Sequence, residues 1–451
     1  MLFELDRARL ARLRQREDRA FHARIPKSLK LWREARGVMP NGVPMSWMLG
    51  LHRHAPVFAS KGDKAWFTDA DGNRYLDMNL SDLSATTGFG HPAITRALAR
   101  QAARGAQFLL PAEDSIVVSQ LLKERTGMPF WQFTLSASGA NAEAFRLARL
   151  ATGRRRIVMF DGKYHGHFDE VLVKRSGRSA RPSLLGTSPA SGRDVTIIPF
   201  NDADALAAEL KRSDVACVIT EPALTNVNLV LPNPGFHDAL RKLTRKHGSL
   251  LVIDEAHTMQ MAYGGLTRLY GLWPDILTTG KGFGSGIALG AYGLTAKLAK
   301  LAADSLDLGP GATAPGIATG GTTYASALSL AGVRAALEKV LTETGYRRCA
   351  RLGSRLADGI DRAIAEHDLP WKAQRLGGRS GISMTPIHPR NAAEAASTID
   401  VDLIDTRRVF MANRGVWDAI ATAGPQAGFA HTASDIDHYL AVFSSFLDEI
   451  A

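Results

Sequence analysis

The chain has 451 residues, of which 45% are hydrophobic and 22% charged, proportions that are typical of a folded globular protein. Two cysteines, Cys217 and Cys349, exclude a disulfide-dense scaffold and a zinc site built from cysteines, and they fit a reducing compartment. Charged residues, Gly or Pro interrupt every apolar run before it could span a bilayer, so we expect a cytoplasmic protein that does not bind membranes.

The net charge of +11 is concentrated near the N-terminus, where residues 1–40 hold 11 Lys or Arg against 5 Asp or Glu. A basic arm can bind nucleic acid, and a nucleic-acid-binding module is therefore one alternative function. Glu4, Asp6, Glu17 and Asp18 alternate with the arginines, which favours a solvated helical face and argues against an organelle transit peptide. We expect no nucleic-acid partner.

The N-terminal part of the chain is predicted to form helices followed by a hairpin. Residues 5–36 have the pattern of one or two amphipathic helices, broken near Pro26. Residues 65–78 alternate between apolar and polar types around Asp71-Gly72, which predicts a β-hairpin.

The middle of the chain alternates short apolar runs with helical patterns such as residues 141–151 and 236–246. Continuous Val, Ile and Leu runs indicate strands covered on both faces, hence an α/β fold with a mostly parallel sheet between helix layers. The predicted strands are residues 130–135, 157–160, 195–199, 215–220, 250–254, 276–279 and 289–294.

The C-terminal part is predicted to form a smaller α/β domain, which the N-terminal hairpin joins. It is helical to about His367, has a strand pair near residues 371–384, and ends with helices around 404–413 and 436–450. The expected division is residues 1–85 as N-terminal helices and hairpin, 86–325 as the large domain and 326–451 as the C-terminal small domain.

In such a fold the ligand lies past the C-terminal ends of the strands. Residues 136–141, Ser-Ala-Ser-Gly-Ala-Asn, follow one predicted strand and open a helix. Small residues let a ligand approach the backbone, and free N–H groups at a helix start bind phosphate. The same residues also suit a plain turn, so this motif alone does not decide between the two.

Asp254-Glu255-Ala256-His257 follows the strand Leu-Leu-Val-Ile. A carboxylate at the end of a buried strand is costly unless it has a partner. Two interpretations compete: the acidic motif of a nucleotide-driven helicase, which is also written DEAH, and an Asp paired with a protonated ring nitrogen of a cofactor. A helicase also needs an upstream phosphate loop, G-x-x-x-x-G-K-[ST], which this sequence lacks. The helicase interpretation fails on that ground.

Lys281 follows the strand that starts at Ile276 and lies among Gly280, Gly282, Gly284 and Gly286. The glycine spacing does not match the dinucleotide fingerprint. A surface lysine in a flexible loop is the ordinary interpretation, whereas a buried or nearly buried lysine would form a Schiff base with an aldehyde.

Two further segments suit a flat, phosphorylated ligand. Tyr164 and His165 follow the strand 157–160, and a Tyr can stack on a ring whereas two histidines at i, i+2 make a poor metal site. The turn 320–323, Gly-Gly-Thr-Thr, precedes a helix and suits phosphate. Together the motifs supply the anion donors, ring stack, buried Asp and strand-end Lys that pyridoxal 5'-phosphate (PLP) requires.

At this point the sequence resembles the class III, subgroup II, aminotransferases of PLP-dependent fold type I, near glutamate-1-semialdehyde aminomutases and β-amino-acid aminotransferases. The resemblance covers about residues 36–448 and is densest at SASGANAEAFRLARL, LLVIDEAHT and TTGKGFGSGIALGAYG. It implies that Lys281 is the Schiff-base lysine, that Asp254 pairs with the ring nitrogen, and that the two are catalytic.

The resemblance also implies the remaining cofactor contacts. Thr322 would reach the phosphate from the neighbouring subunit, which implies a homodimer with shared active sites. Glu221 matches the strand-end Glu-Pro of the family. The implied cofactor-binding residues are Ser138, Gly139 and Ala140 for the phosphate, Tyr164 for the ring face, and Glu221, Asp254, His257, Lys281 and Thr322.

The chain departs from the family pattern at several of these positions. The family usually has Thr and Glu where Ala140 and Asn141 stand, and Gln or Met where His257 stands, so His257 would replace a Gln that contacts the ring hydroxyl. Met48 stands in place of the arginine that binds the substrate carboxylate in the aminomutases. Met45, Trp47 and Met48 make that wall apolar, and the other cationic candidates for a carboxylate are Arg53, His54 and Arg379.

We expect a PLP-dependent transaminase that moves an amino group between an amine or (β-)amino acid with an apolar or aromatic group, contacted by Trp47 and Met48, and a 2-oxo acid. An aminomutase or amino-acid racemase on the same fold is the main alternative. The DEAH string is also similar to that of PLP-dependent acyltransferases.

Overall fold

The computed structural model describes residues 5–50, 53–177, 179–306 and 316–451, which divide into two compact units. The terminal unit contains the residues up to His91 together with Thr344–Pro389 and Ala393–Ala451. The central unit contains Pro92–Glu343 and Arg390–Ala392. No helix in these ranges is long and apolar enough to cross a membrane.

The N-terminal segment of the terminal unit forms the expected pair of helices and the expected hairpin. The carboxylate of Asp6 caps the first helix, and Pro26 occupies the start of the second, where its missing N–H is not needed. The elements are α1 (Arg7–Arg24), α2 (Pro26–Ala35), α3 (Trp47–Gly50), β1 (Ala59–Asp63), β2 (Trp66–Asp69) and β3 (Arg74–Asp77).

The central unit is an α/β structure that contains all seven predicted strands. Its helices are α4 (Pro92–Ala102), α5 (Glu113–Thr126), α6 (Ala137–Thr152), α7 (Ala203–Leu210), α8 (Phe236–His247), α9 (Gly265–Leu269), α10 (Ala296–Asp304) and α11 (Ala327–Lys339). Its strands are β4 (Phe130–Thr134), β5 (Arg156–Phe160), β6 (Val173–Ser176), β7 (Ser179–Pro182), β8 (Val195–Ile198), β9 (Val215–Thr220), β10 (Leu250–Asp254), β11 (Ile276–Thr279) and β12 (Gly290–Leu294).

The chain then returns to the terminal unit. Strand β15 pairs with β3 and extends the sheet β1-β2-β3-β15, and β13 pairs with β14 as predicted. Helix α11 lies in the central unit, packed on α4 and α5, although the sequence boundary at residue 325 assigned it to the C-terminal domain. The elements are α12 (Glu343–Glu366), β13 (Lys372–Leu376), β14 (Arg379–Ser383), α13 (Ala392–Ser397), α14 (Val401–Ala412), β15 (Val416–Trp417) and α15 (Ala433–Asp448).

The seven-stranded sheet of the central unit has the order β4-β12-β11-β10-β9-β5-β8. Strand β12 is antiparallel to both neighbours, and the other pairs are parallel, which confirms the predicted mostly parallel sheet. The register places Asp254 beside Thr278 and Ile253 beside Thr220. The residues that follow β9, β10 and β11 therefore meet at one edge of the sheet.

Candidate active site

Asp254 ends β10 and is 2% exposed, so its charge depends on the groups around it. Its Oδ2 accepts hydrogen bonds from Nδ2 of Asn141 and Nδ1 of His165, each at 2.8 Å. Its Oδ1 accepts from the backbone N–H of Ala256 at 2.9 Å. A carboxylate with three donors is stabilised in its ionised form.

Two opposing effects determine the pKa of Asp254. Burial raises it, but the hydrogen bond and the charge of His165, followed by the N–H groups of Ala256 and Asn141, lower it below its usual value. The carboxylate is therefore negative at neutral pH. A negative charge in this position can hold a proton on a heterocyclic ring nitrogen.

Asn141 is fully buried and uses all of its polar atoms. Its Nδ2 donates to Asp254 and also to the carbonyl of His165 at 2.8 Å, while its Oδ1 accepts from Oγ1 of Thr278 at 2.6 Å. The amide thus holds one orientation and joins α6 to the ends of β10 and β11. Sequence reasoning noted Asn141 only as a departure and His165 only within a motif, and assigned neither to Asp254.

Lys281 follows β11 at the same edge and is half-buried, less enclosed than the sequence analysis expected. Its φ of 50° lies in the left-handed region, which is uncommon for a residue with a side chain and indicates local strain. A Cβ on Gly280 would lie 2.8 Å from the backbone nitrogen of Ala137. Only glycine therefore lets the lysine loop lie against the start of α6.

The sequence predicts an anion-binding site, the anion cradle, at the start of α6, which begins at Ala137. Ser136 caps the helix by accepting from the N–H of Gly139 at 3.4 Å, and first-turn N–H groups of a helix attract anions. Oγ of Ser138 accepts from the backbone N–H of His167 at 3.1 Å. A Cβ on Gly166 would lie 2.6 Å from that Oγ, so the Lys163–His167 motif packs directly on the cradle.

Ala140 differs from its neighbours in the cradle. Its N–H donates to the carbonyl of Ser136 at 3.1 Å, and its side chain lies in the hydrophobic core. The N–H group of Ala140 is thus already used within the helix, because it makes the first regular intrahelical bond. Ala140 is therefore the least suited of the three predicted residues to donate to a phosphate, because the N–H of Gly139 makes only a long 3.4 Å bond to the Ser136 cap.

Glu221, Thr225 and His257 form a buried cluster past the ends of β9 and β10. The hydroxyl of Thr225 donates to Oε2 of Glu221 and lies 2.7 Å from Nδ1 of His257. Nδ2 of Asn226 donates to Oε1 of Glu221 at 3.1 Å. Sequence reasoning included Glu221 and His257 but missed Thr225, which links them.

Tyr164 and Thr322 differ in their exposure. Tyr164 is half-buried and precedes His165, which contacts Asp254. Thr322 is exposed in a turn, and its carbonyl accepts from Nε2 of Gln107 at 2.9 Å. Within the described part of the central unit, therefore, Thr322 lies on the surface.

In the terminal unit, Trp47 and Met48 line a cavity of about 790 Å³, together with Met45. Its other walls are mainly apolar and aromatic, and include Val57, Phe58, Phe67, Phe89 and Trp417. A space of this size and composition is typical of small-molecule sites.

A buried carboxyl group and a half-buried imidazole also line this cavity. Burial raises the pKa of Asp77 to about 6, against the backbone N–H groups that lower it. Burial and the charge of Arg408 lower the pKa of His54 to about 3, so His54 is neutral at pH 7 and offers a carboxylate no positive charge.

The two arginines proposed as carboxylate ligands already have protein partners. Arg53 forms an ion pair with Asp405 at 3.5 Å, and its side chain is 58% exposed. Arg379 is 1% exposed, and its Nη2 donates to the carbonyl of Thr422 at 3.2 Å. These contacts favour structural roles for both.

The central unit fits a flat, phosphorylated pyridine aldehyde. It offers an ionised carboxylate for a ring nitrogen, a helix N-terminus for a phosphate, and a strand-end lysine amine for the aldehyde. The Nε2 of His165 is buried and has no hydrogen-bond partner among the described residues, so a polar atom remains to be satisfied beside Asp254.

Comparison with known proteins places these features in a family. The family model of class-III aminotransferases matches residues 50–408. A glutamate-1-semialdehyde 2,1-aminomutase of Chloroflexus aggregans is 34% identical over 434 residues, which cover 92% of this chain and 96% of the relative.

Solved structures of similar proteins share the whole fold. A glutamate-1-semialdehyde-aminomutase from Pseudomonas aeruginosa PAO1, solved in complex with PMP, is 35% identical with a TM-score of 0.94 and covers 100% of both chains. A beta-phenylalanine aminotransferase from Variovorax paradoxus is 25% identical, has a TM-score of 0.86 and covers 97% of both chains.

Proposed function

The chain belongs to the class-III aminotransferase family of PLP-dependent fold type I, and we propose that it moves an amino group between an amine or (β-)amino acid and a 2-oxo acid. Its cofactor is PLP. One observation carries the proposal: a buried, ionised Asp254 ends a strand whose neighbour leads directly into Lys281. When bound, PLP supplies an aldehyde that combines with amines and a ring that accepts electrons.

Lys281 and Asp254 divide the catalytic work. The Nζ of Lys281 would hold the cofactor through its aldehyde carbon, and once a donor amine occupies that position the free Lys281 amine would take the proton from the donor carbon that bears the nitrogen, as a general base. The protonated amine of Lys281 would then deliver that proton to the cofactor carbon, as a general acid, which is what separates transamination from racemisation. Asp254 keeps a proton on the ring nitrogen, and His165 and Asn141 keep Asp254 ionised and in place.

The remaining site residues bind and orient the cofactor. Ser138 and Gly139 hold the phosphate at the start of α6, and Tyr164 covers one face of the ring. Glu221 and His257 lie at the same sheet edge as Asp254 and support the ring from the β9 side.

The donor is proposed to carry an apolar or aromatic group. Support comes from the terminal unit, where Trp47 and Met48 line an apolar cavity and where the arginine of the aminomutase pattern is replaced by Met48. A large apolar wall binds a hydrophobic substituent through the area it removes from water.

The enzyme is proposed to act as a homodimer in which Thr322 of one subunit completes the phosphate site of the other. The exposure of Thr322 supports this role, because the residue is available to a second subunit. A patch of exposed apolar side chains in the central unit supports association. It comprises Phe108, Leu109, Leu110, Ile116 and Phe130, which are between 50% and 71% exposed.

A glutamate-1-semialdehyde-type aminomutase is the second candidate, and the names of the relatives favour it. An aminomutase or racemase returns an isomer of its substrate and needs no separate oxo acid. Incubating one amino acid at a time with the loaded enzyme, with and without a 2-oxo acid, separates the two. Conversion that requires the oxo acid supports transamination, whereas catalytic isomerisation without it supports the alternative.

Substitution of Lys281 by Ala tests the common chemistry of both candidates. We expect Lys281→Ala to lose turnover and the yellow absorbance of lysine-bound cofactor together. Lys300→Ala serves as the control, because that lysine is exposed in α10 and pairs with Asp304. A Lys281→Ala protein that kept both turnover and absorbance would remove Lys281 from this role.

A further inference from the structure

Thr225 joins a buried carboxylate to a buried imidazole at the sheet edge that carries Asp254. Glu221, Thr225 and His257 are 3%, 1% and 7% exposed, so water does not compete strongly for their hydrogen bonds. We propose that Thr225 and Glu221 are positioning residues that keep the proton of His257 on Nδ1. We call the hydrogen bonds that run from Glu221 through Thr225 to His257 the relay.

The direction of the hydrogen bonds follows from the number of available protons. The Glu221 carboxylate accepts from Asn226 on one oxygen and from the Thr225 hydroxyl on the other. A threonine hydroxyl has one hydrogen, and here that hydrogen points to Glu221. The 2.7 Å contact between Thr225 Oγ1 and His257 Nδ1 therefore requires Nδ1 to be the donor.

The backbone of Glu221, at the carboxylate end of these hydrogen bonds, is held by its neighbour in the sequence. The backbone carbonyl of Glu221 accepts from Oγ1 of Thr220 at 2.8 Å, directly after β9. Since Ile253 pairs with Thr220, Asp254 and Glu221 are the next residues of the two strands, and Thr225 and His257 lie in the loops that follow them. The loop geometry therefore brings the three side chains together while Asp254 keeps its own donors.

The tautomer decides what His257 can do at the site. A neutral imidazole with its proton on Nδ1 carries the lone pair on Nε2, which then accepts a hydrogen bond. A glutamine amide can instead donate at such a position. The identity of the group that donates to Nε2 rests on the proposed function, because Nε2 would accept a hydrogen bond from the ring hydroxyl of the cofactor or from the substrate.

The protonation of His257 can be read directly by 15N NMR of the PLP-loaded enzyme labelled at histidine. The chain has 13 histidines, so the His257 signals are assigned by their loss in His257→Gln. We expect the wild-type ring to show a proton on Nδ1 and a lone pair on Nε2. A ring protonated on Nε2, alone or together with Nδ1, would overturn the proposal without any relay variant.

Three variants at threonine positions test the relay. Thr225→Val removes the hydroxyl at constant shape, and we expect mixed tautomers and a cofactor dissociation constant raised about tenfold. Thr225→Ser keeps the hydroxyl and should retain the wild-type signals. Thr196→Val, at a buried threonine in β8, is the matched control and should also be unchanged.

The outcomes separate this proposal from the proposed function. If Thr225→Val keeps the wild-type tautomer and cofactor affinity, Thr225 is not a positioning residue, whatever reaction the enzyme performs. If the tautomer responds as expected but no donor is transaminated, the relay stands and the transaminase assignment fails.

Discussion

Asp254 in the central unit and Asp77 in the terminal unit each end a strand and are each 2% exposed, yet the pKa values of their carboxyl groups shift in opposite directions. Asp254 ends β10 and has a pKa below its usual value, because donors led by His165 outweigh burial. Asp77 ends β3 and has a pKa raised to about 6, because burial outweighs its donors.

The difference comes from the kind of donor. Asp77 accepts from backbone N–H groups, including those of Asn79 and Ser81 at 3.0 Å, which are neutral and cannot gain a proton. Asp254 faces an imidazole and an amide as well as one backbone N–H. Burial alone therefore moves a carboxyl group toward neutrality, and a chargeable partner keeps it ionised.

The largest expected effect is that of removing the charge of Asp254. Asp254→Asn should bind PLP but slow proton abstraction about 1000-fold, because the ring nitrogen loses the negative charge that stabilises its proton. Single-turnover kinetics with a reactive donor measures the rate. Asp275→Asn is the control, since Asp275 precedes β11 and pairs with Arg241 at the amino end of the strands. An unchanged rate in Asp254→Asn would remove Asp254 from catalysis.

Removing His165, the partner of Asp254 that can carry a charge, should move the pKa of Asp254 in the direction seen for Asp77. His165→Phe is expected to raise the pKa of Asp254, because burial would then be less opposed, and to lower kcat about 100-fold. Activity should also decline at a higher pH than in the wild type as the solution is acidified. A pH–rate profile tests this, with a thermal melt to confirm folding. An acid limb at the wild-type position would contradict the explanation given for Asp254.

The opposite behaviour of Asp77 predicts how stability depends on pH. Its pKa of about 6 in the folded protein lies above the ordinary 3.8, so the folded state binds the proton more tightly. The stability that this group contributes is complete below about pH 4 and is lost as the pH rises through about 6, a change of about 2 kcal/mol between pH 4.5 and 7.

Asp77→Asn cannot titrate and should remove that part of the pH dependence. Urea unfolding of both proteins at about pH 4.5 and about pH 7 measures it. The difference between the two proteins separates the effect of Asp77 from that of other titratable groups such as His54 and His431, whose pKa values desolvation lowers. Equal pH dependence in both proteins would show that burial does not control Asp77.

The smallest effect is expected in the cavity that Asp77 lines. Trp47→Ala should raise KM for aromatic donors about tenfold by removing apolar contact area, with kcat and the cofactor absorbance unchanged. Trp273→Ala, at a tryptophan that is 72% exposed in the central unit, is the control. If both variants raise KM equally or not at all, this cavity does not bind the donor.

Local patterns were sufficient to predict much of this fold. Buried runs such as 215–220 and 250–254 became β9 and β10 with the same bounds, and Asp71-Gly72 connects β2 to β3 as expected. Strand β1 was missed because its residues, Ala59–Asp63, are exposed throughout and show no apolar alternation.

The contacts within the candidate site were much less predictable. Asn141 and His165 lie 113 and 89 residues from Asp254, and nothing local marks them as its donors. Thr225 was overlooked for the same reason, since His257 lies 32 residues away. Motif spacing indicated where the candidate site lies, but not which side chains determine the charge of Asp254.

The sequence by itself determined the strands of the seven-stranded sheet, the glycine-lined lysine, the strand-end aspartate and the resemblance to the class III aminotransferases, because these depend on residue type and near-neighbour spacing. Only the tertiary structure decided that Asp254 is ionised while Asp77 is drawn toward neutrality, and that Thr225 links Glu221 to His257. The charge of a buried group depends on the dipoles and protons that folding brings within hydrogen-bonding distance, and these come from distant parts of the chain.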